Sequence, residues 1–161
     1  MATNYPTQQF AGSAQTVINL ATDIASGNFS GAPAATFSNN DALVPNAPLA
    51  IAMAEFPDWA AAPVAGTVIE LWGLLKDVDG TDDDTGAPSG TASGGARYFG
   101  AFVIEAADAL QRRTIVISLE GICNGITVDF YLKNGTAQNM NNDGGTNCVV
   151  KITPFAYGVA V

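Results

Sequence analysis

The residues best equipped for chemistry are the carboxylates. Fifteen Asp and Glu stand against six Lys and Arg in 161 residues, and there is no histidine. Without imidazole there is no Ser-His-Asp or Cys-His unit, no imidazole acid or base, and no zinc site that relies on one. Glycoside hydrolysis needs only two acids at a set separation, and Glu70, Glu105, Glu120 and Asp129 are the available candidates. Their spacing nominates no pair, and strand alternation places Glu70, Glu120 and Asp129 on solvent faces. Asp77, Asp79, Asp82, Asp83 and Asp84 offer hard oxygen ligands suited to Ca²⁺. Counted from Asp77, however, Asp82 occupies the position of the invariant EF-hand glycine and Pro88 that of the bidentate Glu, so the run reads as a solvated acidic tip between strands. No glycine precedes a lysine and no GxG occurs, which removes the phosphate-loop patterns. No catalytic, cofactor-binding or metal-binding residue is assigned, and the chain is expected not to be an enzyme.

Cys123 and Cys148 lack CxxC spacing, which argues against a zinc ribbon or a redox pair. Both are expected to be buried free thiols, with Cys148 on the apolar side of a strand. Trp59, Trp72, Tyr98, Tyr131 and Tyr157 could line a sugar-binding face, since Trp72 and Tyr131 fall on outward positions. The competing reading, favoured by the low charge density, is that protein covers them, because Tyr and Trp are enriched at interfaces.

The elements that position these groups are strands. Ile126, Val128, Phe130 and Leu132 alternate with Thr127, Asp129, Tyr131 and Lys133, the period of a half-buried strand. The same period recurs at Ile115, Ile117 and Leu119, at Cys148, Val150 and Ile152, and at Ile69, Leu71 and Leu75. Residues 97–105 form an aromatic and β-branched run of strand length, and a loop of about twenty residues precedes it. Leu49 to Ala62 fits either an alternating strand or a short helix ended by Pro57, and the strand is preferred. The helix-prone residues 105–113 read as a link between strands. Gly, Asn and Pro clusters between short strands predict an all-β fold, an antiparallel β-sandwich with an extended N-terminal arm. Residues 1–46, poor in large apolar groups apart from Val17, Ile18 and Leu20, form that arm with a possible edge strand; residues 47–161 form the sandwich domain.

Only 13% of residues are charged, with 48% hydrophobic, and the net charge is −9. Residues 1–75 carry five acids and no base, residues 76–86 add one base and five acids, and residues 87–161 balance five against five. Lacking a basic surplus, the chain is not expected to bind nucleic acid through its backbone or to adhere to anionic membranes. Neither a secretory signal nor an apolar run long enough to span a bilayer is read. The sequons at Asn28 and Asn134 are taken as chance.

Gly66-Thr-Val-Ile-Glu-Leu-Trp-Gly-Leu-Leu runs into the Asp-Gly-Thr-Asp tip. Arg97-Tyr-Phe-Gly-Ala-Phe, Arg113-Thr-Ile-Val-Ile, the Gly121–Gly125 turn, Thr127-Val-Asp-Phe-Tyr-Leu-Lys-Asn-Gly-Thr and Val149-Val-Lys-Ile-Thr-Pro-Phe follow. Over residues 64–155 this order resembles the small β-sandwich virion proteins of tailed bacteriophages. The resemblance implies a jelly-roll-like module without catalytic residues, of the capsid decoration or cement type. It implies the major capsid protein as partner, a homo-oligomeric state (dimer or trimer), and a place on the capsid surface after synthesis in the host cytoplasm. The alternatives are a minor tail or head-fibre component, or a carbohydrate-binding receptor-recognition module using Trp72 and Tyr131.

Overall fold

A computed structural model of the chain describes residues 7–57, 59, 61–76, 86–106, 110–123, 125–140 and 146–159. The Asp77–Asp84 run lies outside these residues, and with it the question of Ca²⁺ binding. The described elements are nine strands: β1 (Thr7–Ala11), β2 (Gln15–Leu20), β3 (Phe37–Ser38), β4 (Leu49–Phe56), β5 (Val68–Lys76), β6 (Arg97–Val103), β7 (Gln111–Ser118), β8 (Thr127–Asn134) and β9 (Cys148–Val159).

Their pairing is nested. β5 pairs with β6, β4 with β7, β3 with β8 and β2 with β9, all antiparallel, as in one long folded-over hairpin. Rolling that hairpin up adds the pairs β4·β9 and β5·β8 and gives two sheets, β2-β9-β4-β7 and β3-β8-β5-β6. Eight strands in this order form a jelly roll, the double-sheet solution that leaves few open edges. β1 extends the first sheet by pairing with the far half of β9.

The expected antiparallel sandwich is therefore present, and residues 49–56 are the strand preferred over the helix. Which side of β4 faces inward is less obvious from its sequence. Ala50, Ala52, Ala54 and Phe56 are fully buried, while Leu49, Ile51 and Met53 are half-buried on the outside. Small side chains on one sheet leave room for large ones on the other, which is how facing layers interdigitate. Here Phe37, Phe99, Phe102 and Phe130 fill the interior, with Phe99 edge-on to Phe130 at 5.0 Å and Phe56 edge-on to Phe102 at 5.5 Å. Gly73 makes the closest approach possible: a Cβ there would stand 2.5 Å from Phe99 and 2.7 Å from Val128.

The described part of the N-terminal segment is woven into this core. A bulge between Thr16 and Ile18 turns the consecutive Val17 and Ile18 both inward, and Leu20, Ile24, Phe37 and Val44 join them. Asp41 fixes the β1–β2 connection by accepting the backbone N–H groups of Ser13 at 2.7 Å and Leu43 at 2.8 Å.

Candidate functional site

The two sheets present very different outer faces. On the β3-β8-β5-β6 sheet, alternation sends Glu70, Trp72, Leu74 and Lys76 of β5 outward beside Asp129, Tyr131 and Lys133 of β8. The chain's own residues 28–36 close over them. Ser30 N–H donates to the Leu132 carbonyl and its hydroxyl accepts from Leu132 N–H, while Phe29 meets Trp72 edge-on at 5.7 Å. Phe29, Leu74 and Tyr131 thus form a second, smaller buried cluster.

This cover corrects two expectations. Asp129 is expected at solvent and Tyr131 beneath a neighbouring protein, yet the chain itself leaves only 6% and 5% of their surfaces exposed. Asp129 accepts a hydrogen bond from the Thr36 hydroxyl at 2.7 Å and pairs with Lys76 at 2.6 Å. Burial of a carboxylate is tolerable only with such partners. With Tyr131 buried, the aromatics left to a sugar platform on this face are the half-buried Trp72 and the exposed Tyr98, edge-on to each other at 5.6 Å.

The other candidate acids are similarly engaged or isolated. Glu70 accepts the Trp72 indole N–H at 2.8 Å and lies 3.8 Å from Lys133; Glu105 pairs with Arg113 at 3.0 Å; Glu120 is exposed at the end of β7. Glu70 and Asp129 lie on adjacent strands but four residues apart in register, about 13 Å, beyond the separations at which paired carboxylates hydrolyse glycosides. Among the described residues no three Asp, Glu or Cys side chains gather as metal ligands, and no helix is long and apolar enough to cross a membrane.

Cysteine placement departs from expectation at one position. Both thiols are free, but Cys123 is exposed in the turn before β8, whereas Cys148 is buried and burial pushes its thiol up to about 12. The sequon at Asn134 has a structural use: Asn134 and Thr136 are buried and bonded to each other at 2.8 Å, and the Asn134 amide holds the Ile24 and Gln138 carbonyls.

The face of the β1-β9-β4-β7 sheet is open around Val116 and Tyr157, while Phe155 on the same side is only 3% exposed. Cross-strand rows run Ser118–Leu49–Phe155 and Val116–Ile51–Thr153, both without a charge, followed by Thr114–Met53–Lys151. The fourth row ends the face with Glu55 bound by Arg112 at 2.6 Å. Val116 is 63% exposed and Tyr157, stacked edge-on against Phe155, 62%. Leu49, Ile51 and Met53 are half-buried between them. A run of large apolar side chains across three strands, with charge only toward one end, has the character of a protein-contact surface. Sequence reasoning found the strands of this face but not its openness, because it depends on which side of β4 the alanines take. The chain matches none of the protein-family models and none of the curated proteins with which it was compared.

Proposed function

We propose that this chain is a structural protein of a tailed-bacteriophage virion, a capsid decoration protein that binds the major capsid protein shell through the open face of the β1-β9-β4-β7 sheet. The observation that carries the reading is that face: it is apolar across Leu49, Ile51, Val116 and Tyr157, with Val116 and Tyr157 more than half exposed, while on the opposite face the chain buries Leu74 and Tyr131 itself and leaves Tyr98 and Val103 exposed at the β6 edge. The jelly roll is a fold of capsid and lectin domains, so it supports the reading by analogy, and the residues on the face supply the specific argument. Such a protein works by area repeated over many copies and requires no catalytic group. Its net charge of −9 suits a component on the outside of the particle, apart from the genome and from membranes.

Mass spectrometry of purified virions tests this. The chain is expected in a fixed stoichiometric ratio to the shell protein. A few copies per particle would move it to a tail or fibre position, and its absence from virions would overturn the reading.

A further inference from the structure

A second feature lies at one mouth of the sandwich. Arg97 opens β6 and shares the inward side of that strand with Phe99, whose ring lies 4.4 Å beneath the guanidinium. Among the described residues its one hydrogen bond is a long one, 3.3 Å, to the carbonyl of Glu120, although a guanidinium carries five N–H donors. Lys76, Arg112, Arg113 and Lys133 each have a carboxylate within 4 Å. Among the described residues Arg97 and Lys151 have none. Lys151 stands in water; Arg97 is partly stripped of it, and that desolvation lowers its pKa.

Arg97 lines a cleft of about 410 Å³ with Tyr98, Phe99, Ser118 and Glu120. The Ser118 oxygen accepts the Glu120 N–H at 3.2 Å, which leaves its proton available to an anion. A guanidinium held by a ring, short of water and with unused parallel donors, is a receptor for a carboxylate.

We infer that this cleft receives a carboxylate side chain from a second copy of the chain. Charge complementarity selects the occupant. Every copy brings fifteen acids and six bases, and among the described residues four of the bases are paired internally, so each copy offers surplus carboxylates and one guanidinium in a cleft without a described carboxylate partner. The chain entering β6 runs over the other side of the sheet, where Gly90 accepts the Phe29 N–H and Ala96 packs on the Phe29–Leu74–Tyr131 cluster. Glu120 lines the cleft without forming an ion pair to Arg97, and its charge opposes an incoming acid. The inference does not depend on the shell reading, since it concerns the purified chain alone.

The test converts the contact into a covalent record. Arg97→Lys keeps the charge and places an amine in the cleft. An equal mixture of ¹⁴N- and ¹⁵N-labelled Arg97→Lys protein, with its fold checked by circular dichroism, is treated with a carbodiimide, which joins amines to touching carboxylates. Peptide mass spectrometry then identifies the partners. The expected result is mixed-isotope links at position 97 several-fold more frequent than at Lys151, the exposed amine that reports random collision, and a further rise when Glu120→Gln is added. Links at position 97 that are exclusively single-isotope, no links there, or mixed links no more frequent than at Lys151 would each overturn the inference.

Discussion

On the outer face of the β3-β8-β5-β6 sheet, Asp129 meets Lys76 and Thr36, Glu70 meets Lys133 and the Trp72 indole, and Phe29 is laid over the aromatic residues from a distant part of the chain. On the β1-β9-β4-β7 sheet the corresponding positions are Leu49, Ile51, Met53, Val116 and Tyr157, the first three half-buried and the last two more than half exposed. Both faces belong to one fold and sit on the same core. The difference teaches that the polar network closes the β5–β8 part of one face from within the chain, whereas Val116 and Tyr157 on the other stay exposed, as the proposed binding to a shell requires. Buried polar networks fix a unique arrangement, and exposed apolar area drives association.

The sharpest way to break this contrast is a charge in the middle of the open face. Val116→Lys is expected to weaken shell binding by about 3 kcal/mol, roughly a hundredfold, because docking would bury an unpaired ammonium. Its melting temperature should stay near that of the parent, since Val116 is exposed. Sedimentation with particles lacking the protein measures the first effect and calorimetry the second. Equal binding by Val116→Lys would remove the face from the account.

The covered face should respond in the opposite sense. Phe29→Ala opens the cluster with Leu74 and Tyr131 and is expected to cost about 3 kcal/mol of folding stability while shell affinity below the transition is unchanged. Denaturant titration reads the first quantity, and a mutant as stable as the parent would show that the cover is ornamental. Gly73→Ala forces a methyl against Phe99 and Val128 and should cost about 1–3 kcal/mol by overpacking, again without altering affinity in the folded state.

Smaller effects concern the loops. In native conditions a disulfide reagent should modify Cys123 quickly and Cys148 only on unfolding, because a buried thiol near 12 supplies almost no thiolate; two fast equivalents would contradict the burial. The N–H groups of Ser13 and Leu43 hold the Asp41 carboxyl below its ordinary 3.8. The folded state thus favours the charged form, so this contribution is full above 3.8 and is lost as pH falls through the lower folded value. Asp41→Asn should flatten that part of the acid limb in melting curves, and an unchanged limb would exclude the contact as a source of acid sensitivity.

Much of the sandwich was legible because β5, β7, β8 and β9 keep a two-residue period over most of their length. β2 was harder to read, since its bulge places Val17 and Ile18 side by side in the core, and β3 is only two residues long. Alternation also speaks only for the two sides of one strand. It cannot report that Phe29 and Thr36, some hundred residues away, cover Tyr131 and Asp129. The open face had the converse difficulty: β4 alternates alanine with Leu, Ile and Met, and both sides are apolar by composition. Only the facing phenylalanines decide that the alanines go in.

Hydroxyl-radical footprinting of the protein free and bound to virions tests the central claim most directly, because both faces carry reactive side chains. The account predicts that Met53 and Tyr157 lose reactivity on the particle while Tyr98 keeps it. Protection of Tyr98 with Met53 and Tyr157 still reactive would contradict it.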